Sequence, residues 1–338
     1  MIAPPVDEKR VTAMIADAVA APSMHNAQPW RFRYSRSRRA FQLRADLDRF
    51  MPHSDPDTRA LHLGCGAALL NLRVAVEYAG WVPVTRLLPD STDPALLALV
   101  RLTGPGNGNG NGNGNGENGI GALHAAVHRR HTSRHPFTAA PIPDDVRNAL
   151  REAARLEGAR LDFPSGWHRQ WVLELAEQAE ARNLTDSGSR GDLARWTGTG
   201  TAAEGVRTEG VPDSAFGPRK RGGKAPMRDF AGTRRVPGRE AAAFEEDPHI
   251  ALLSTAEDTP VDWLRAGQAV ERVLLLATLR GLSSSFVTQA LEWPDMRWPL
   301  RDPVSGAGHV QMVLRLGYGP EGAPTPRRPV REVLDIEP

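Results

Sequence analysis

Three short polar clusters in this sequence carry residue types that bind charged or heterocyclic groups. In Arg130-His131-Thr132-Ser133-Arg134 two guanidiniums stand at alternate positions around a hydroxyl. That is the donor inventory that grips a phosphate; a solvated basic turn is the other reading. Pro326-Arg327-Arg328-Pro329 holds two more guanidiniums between prolines, which restrict the backbone and lower the ordering cost of binding, unless the segment is a disordered tail. Pro22-Ser23-Met24-His25-Asn26-Ala27-Gln28-Pro29-Trp30 gathers short amide and hydroxyl groups on a loop. Such a loop suits the edge of a heterocycle, or plain turn chemistry.

No G-x-S-x-G, H-E-x-x-H, P-loop or spaced carboxylate motif accompanies these clusters, so no acid, base or nucleophile is evident. The pattern suits a bound cofactor that performs the chemistry itself. Gly114-x-Gly116-x-x-Gly119 matches a dinucleotide fingerprint formally, but it sits in an Asn-Gly repeat with no strand abutting it. His124, His128, His131 and His135 recur at near-helical spacing; without a Cys or carboxylate and with Arg129, Arg130 and Arg134 beside them, no metal is expected.

The composition narrows the partners. The chain has 338 residues, 40% hydrophobic and 24% charged, a length that suits about two domains. Its net charge of +2 argues against nucleic acid. The basic residues are 39 Arg and three Lys, planar forks suited to phosphate. Cys65 is the single cysteine, which fits a reducing compartment, and neither a signal peptide nor a membrane span is expected. A soluble cytoplasmic protein acting on a small molecule is the expectation.

Elements must position the clusters. Apolar periodicity predicts helices over Arg10 to Ala20, Arg59 to Tyr78, Leu123 to Arg130, Asp144 to Leu156, His168 to Leu184 and Val261 to Leu279. Alternation predicts a hairpin over Trp30–Tyr34 and Phe41–Ala45, and strands over Leu96–Leu102, His249–Ser254 and Val310–Tyr318. Nine glycines between Gly104 and Gly121 mark a flexible linker. From Asn183 to Asp247 the pattern dissolves, with nine Arg or Lys against three acids between Arg207 and Arg239, which suits a lid or binding loop. A shift of 201 residues superposes Gly66 on Gly267, Leu69 on Val270, Leu72 on Val273 and Gly80 on Gly281, the mark of an internal duplication. The expected division is 1–103, a linker 104–121, and 122–338 with the lid at about 183–247.

The clusters together resemble the nitroreductase superfamily. Pro22 to Trp30 is similar to its P-S-S-x-N-x-Q-P-W loop and Arg130-x-Thr132-x-Arg134 to its R-x-S-x-R phosphate motif. Gly281 to Gln289 resembles the segment after the central helix, and Leu314 to Gly319 with Pro326 to Pro329 the final strand and tail. The order of motifs and the two central helices resemble the Acg-like branch, in which two nitroreductase-like halves are fused. The resemblance implies an α+β fold arranged as an internal pseudo-dimer, with mixed or antiparallel sheets flanked by helices, as a monomer or a homodimer.

It also implies one FMN per chain, since nothing like R-x-S-x-R precedes Met14. Arg130, Thr132, Arg134, Arg327 and Arg328 would hold the phosphate or flavin edge, Ser23, Met24, Asn26 and Gln28 would reach across from the first half, and Thr288 and Gln289 would face the ring. Met24 and Thr132 stand where the family carries serine, and Gln289 where relatives often have glycine. The implied activity is hydride transfer through flavin N5 from NAD(P)H to a small conjugated acceptor; the alternative is FMN storage beneath a closed lid.

Overall fold

The computed structural model describes residues 6–105, 119–197, 208–232, 234–302, 304, 306 and 308–338. Most of the expected linker, with Gly114 and Gly116 of the glycine fingerprint, lies outside the described residues, as does part of the segment expected to be a lid.

In chain order the elements are α1 (Glu8–Ala18), β1 (Trp30–Ser35), β2 (Ala40–Ala45), α2 (Arg59–Tyr78), β3 (Trp81–Leu87), β4 (Leu96–Pro105), α3 (His124–Val127), α4 (Asp144–Leu156) and β5 (Arg160–Asp162). There follow α5 (Gly166–Thr185), α6 (Ser187–Trp196), the short strands β6 (Arg219–Lys220) and β7 (Ala241–Ala242), β8 (His249–Thr255) and α7 (Pro260–Leu279). The chain closes with β9 (Ser283–Phe286), α8 (Pro294–Arg297), β10 (His309–Gly317), α9 (Val330–Val333) and β11 (Leu334–Glu337).

Helices α2 and α7 are the centre. Their ends are written locally: the Asp55 carboxylate accepts from Ala60 N at 2.7 Å and Leu61 N at 2.8 Å, and α7 opens on a Thr259/Asp262 capping box with Pro260 in its first turn. Gly80 and Gly281 follow the two C-termini at φ 93° and 74°, left-handed positions that favour glycine. By length and composition α2 could cross a membrane, but its residues pack inside this protein instead. The helices cross where Gly66 meets Gly267. A Cβ on Gly66 would overlap the Leu264 carbonyl oxygen and lie 3.0 Å from Gly267 Cα; one on Gly267 would overlap the Leu63 carbonyl oxygen and lie 2.9 Å from Gly66 Cα. The contact is therefore symmetric: Leu63 and Leu264, like Gly66 and Gly267, stand 201 residues apart.

Each helix carries a sheet. The first has the order β11-β1-β2-β4-β3, and the inward faces of its hairpin (Trp30, Phe32, Phe41, Leu43) bury against Val11, Met14 and Ile15 of α1 and Leu69, Leu72 and Val76 of α2. The second, β5-β8-β10-β9, is antiparallel and covered on both faces. Ala251, Leu253, Leu314 and Leu316 face α7 and α4, while Ile250, Leu252 and Val313 face α5.

The structure departs from expectation in several places. Strand β3 was hidden by Pro83 and by exposed Val82 and Val84; it is an edge strand, where proline is tolerated. The helix expected over Leu123 to Arg130 shrinks to a 3-10 turn, Ile120–Leu123, and the four residues of α3. His124 and His128 there turn to Asp17 on α1, at 3.0 and 2.7 Å, and no metal cluster occurs among the described residues. Within the segment expected to lack pattern, Asp186 caps α6 by accepting from Ser189 N at 2.7 Å. The short strand β5 was not expected. Finally, β11, placed by the division with 122–338, pairs parallel with β1 in the first sheet (Phe32 with Leu334, Tyr34 with Ile336).

The crossing gives a direct test. Gly66→Ala and Gly267→Ala are each expected to cost about 1–3 kcal/mol by overpacking. Gly191→Ala, on α6 with nothing within 4 Å of the added carbon, is expected to be neutral or slightly stabilising. Thermal melts of the three variants check the difference.

Candidate functional site

Backbone strain marks where the first half meets the rest. In the 3-10 turn Met24–Asn26, His25 and Asn26 have φ of 49° and 56°, and Gln28 follows at 54°. Three non-glycine residues in the left-handed region within four positions persist only where surrounding bonds hold them. Asn26 Nδ2 donates to the carbonyls of Gly210 and Pro326, both at 2.9 Å, and its Oδ1 accepts from Arg327 at 3.0 Å. Gln28 Nε2 donates to Thr208 O at 2.8 Å, and its Oε1 accepts from Arg328 N at 2.8 Å. Ser23 Oγ accepts from Gln28 N at 2.9 Å. Loop, tail and lid segment are thus one hydrogen-bonded unit.

Beside it lies a cavity that opens to solvent. Its floor is the small-residue stretch of the helix crossing: Gly64, Ala67 and Gly267, with Leu63 and Val270. At one end two guanidiniums from remote parts of the chain share a single acceptor. Arg130 Nη2 and Arg327 Nη2 donate to Ala20 O at 3.2 and 3.0 Å, and Arg327 Nε donates to Val19 O at 2.8 Å. These carbonyls lie just past the C-terminus of α1, the end of a helix that attracts cations. Burial, then the neighbouring Arg130, lowers the Arg327 guanidinium to about 9, so it remains charged at neutral pH. Arg134 is lowered by burial to about 10; it donates to Ala215 O at 2.8 Å and lies over the Phe230 ring at 4.7 Å. Neither Arg134 nor Arg327 has a carboxylate within ion-pair distance among the described residues.

The other end is lined by Met227, Arg228 and Phe230. Arg228 pairs with Glu292 at 2.5 Å, Thr288 Oγ1 donates to the same carboxylate at 3.1 Å, and the Phe230 ring meets His25 edge-on at 5.8 Å. Arg228 Nη1 lies 3.4 Å from His25 Nε2, so that nitrogen accepts and Nδ1 carries the proton. Burial, then Arg228 and Arg134, pushes His25 well below the usual histidine range; burial pushes the Glu292 carboxyl up. Arg59, lowered to about 10 by burial, donates to Gln311 O at 2.7 Å and also lines the cavity. Several cations around one cavity-facing carboxylate select an anionic ligand, and the apolar floor between them suits a flat, partly apolar body.

Of the residues singled out from sequence, Ser23, Met24, Asn26 and Thr132 line this cavity with Arg130, Arg134, Thr288 and Arg327. Gln28, Gln289 and Arg328 are not among its lining residues. Gln28 ties loop to tail, Gln289 is wholly buried with its Oε1 unpartnered, and Arg328 turns away to Asp46 at 3.1 Å. Sequence reasoning missed His25, Arg59, Arg228, Phe230 and Glu292. His25 lay inside the loop already singled out, and Arg228 and Phe230 inside the basic segment; nothing local marked Arg59 or Glu292.

Known proteins place this geometry in context. The family model described as the nitroreductase family matches residues 127–318. A Mycobacterium tuberculosis (strain CDC 1551 / Oshkosh) protein named "Putative NAD(P)H nitroreductase MT3217" is 32% identical over 335 residues, covering 97% of this chain and 92% of its own. The same organism's "Putative NAD(P)H nitroreductase acg" is 30% identical over 327 residues, covering 94% and 93%. Among solved structures, a nitroreductase with bound FMN from Bacteroides fragilis NCTC 9343 matches with a TM-score of 0.33 and 18% identity, over 61% of this chain and 92% of that one.

The buried imidazole makes a pH prediction. His25 titrates in the fold below its ordinary value near 6.5, so as pH falls past 6.5 the unfolded chain gains a proton that the folded chain does not, and stability is lost. By pH 5 the loss reaches at most about 2 kcal/mol. His25→Asn, a residue that tolerates the left-handed backbone, is expected to lose less melting temperature than wild type between pH 7 and pH 5. An equal loss in both would contradict the assignment.

Proposed function

The chain belongs to the nitroreductase family, in its Acg-like branch, and on that premise we propose that it is an FMN-dependent oxidoreductase that passes electrons from NAD(P)H to a small conjugated acceptor. We infer one FMN per chain, held between two diverged copies of one fold. The observation that carries this reading is the pair Arg130 and Arg327, which share the Ala20 carbonyl at the cavity, while Glu292, the one carboxylate among its lining residues, pairs with Arg228 instead. Two buried guanidiniums so close are offset well by a dianionic group, and a phosphate ester is one.

The residues fit FMN. Arg130, Arg327 and Thr132 would take the phosphate with Arg134, the apolar floor of the α2–α7 crossing would take the ring, and Ser23, Met24 and Asn26 from the first half would border it. Hydrogen bonds to charged groups contribute about 1.5–3 kcal/mol each, so three or four reach the roughly 8 kcal/mol of micromolar affinity. FMN, when bound, supplies the redox chemistry by accepting and releasing hydride at N5. The protein's own part is to hold that group, to exclude water beneath Met227, Arg228 and Phe230, and to keep His25 neutral with its Nδ1–H as a hydrogen-bond donor. The symmetric contact of Gly66 and Gly267 supports the reading of an internal duplication, with the linker 104–121 joining the copies; a pseudo-dimer needs no second chain to complete this site. A cytoplasmic location accords with the lone buried Cys65.

The roof favours a second reading. Arg228 and Glu292 form a buried pair over the cavity, so the chain could store FMN rather than turn it over. Adding NAD(P)H to the FMN-loaded protein without oxygen separates the two. An oxidoreductase is expected to lose flavin absorbance near 450 nm within the mixing time of its turnover (on the order of seconds for typical enzymes) and recover it when a quinone or nitro acceptor is added. A spectrum unchanged by NADH and by NADPH would overturn the enzyme reading in favour of storage.

A further inference from the structure

Beneath the two guanidiniums lies a carboxylate with no assigned task. Glu271 on α7 is wholly buried, and neither of its oxygens has a hydrogen-bond partner among the described residues. Buried carboxylates are ordinarily satisfied by several donors. The nearest charge is Arg130, whose Nε, also without a hydrogen bond, stands 3.4 Å from Glu271 Oε1. The Asn71 side chain on α2 lies beside the same carboxylate and favours its charged form, and Arg327 acts on it from the tail. His131 feels both arginines, and Glu321 and His128 act on that imidazole in turn. Burial pushes the Glu271 carboxyl up, and Arg130, the Asn71 side chain and Arg327 pull against that shift.

The geometry supplies one negative charge behind a pair of cations whose other side opens on the cavity. With the cavity empty, that charge offsets the repulsion between Arg130 and Arg327. A dianion against the same guanidiniums would take over the task and repel the carboxylate through a medium of low dielectric. Resting on the FMN reading, we propose that Glu271 is a positioning residue that exchanges its charge for that of the phosphate: ionised in the empty site, protonated when FMN is bound. Binding would then transfer one proton from solvent to a Glu271 oxygen.

The test is the pH dependence of binding to cofactor-free protein, followed by flavin fluorescence with FMN and, separately, with riboflavin, which lacks the phosphate. Between pH 7 and 8 the phosphate is already a dianion and Arg327, lowered to about 9, still carries its charge. The FMN dissociation constant is expected to rise up to tenfold per pH unit there, and the riboflavin constant to stay level. Glu271→Gln is expected to bind FMN with that slope abolished. Calorimetry of wild type in buffers of different ionisation enthalpy is expected to count about one proton taken up per FMN, a reading that does not depend on the variant folding. A level FMN constant, a slope that survives in Glu271→Gln, or a proton count near zero overturns the proposal. If neither ligand binds at any pH the cofactor reading itself falls, a result distinct from a slope that is merely level.

Discussion

Two helices can approach this closely only where neither carries a side chain, and here Gly66 and Gly267 meet across the crossing of α2 and α7. Everything else is hung on that contact. Each helix buries its remaining apolar face against its own sheet, so the crossing fixes the distance between the two halves and leaves the slot above Gly64, Ala67 and Gly267. A larger residue at either glycine would move a backbone, because the atom it meets is a carbonyl oxygen and not the end of a flexible side chain.

The second constraint is charge. Guanidiniums keep their charge in this protein even when buried, so several of them around one cavity require anions in return. Glu292 meets Arg228, and Glu271 lies behind Arg130; Arg134 and Arg327 face the cavity with neutral partners. The tail that carries Arg327 ends in β11 on the first sheet, and its Pro326 carbonyl is held by Asn26. One set of hydrogen bonds therefore aligns the strained loop, the tail and the cavity-facing Arg327, which explains why the left-handed residues of that loop are held so firmly.

How far the sequence discloses this varies with distance along the chain. The bounds of α2, α4 and α7 could be read because the apolar period and the glycine that follows each helix are local. Strand β3 could not, since an exposed edge has no continuous apolar face to display. The clusters Ser23 to Gln28, Arg130 to Arg134 and Arg327 were legible because their chemistry is concentrated within a few positions. Which of the adjacent Arg327 and Arg328 meets the cavity was not, because Asp46, almost three hundred residues away, claims Arg328. Arg228 with Glu292, and Arg130 with Glu271, are pairings across 64 and 141 residues that only the folded chain makes visible. The helix repeat spaced by 201 residues is the one long-range feature that the sequence did show, because it is a comparison of two local patterns.

The central claim, that two halves of a single chain together make one cofactor site, has a direct measure in the ratio of FMN to protein. Cofactor-free protein titrated to saturation with FMN, with bound flavin counted by absorbance after release and protein by amino-acid analysis, is expected to give one FMN per chain. No bound FMN would refute the site, and two per chain would refute the joint construction by showing that each half binds its own.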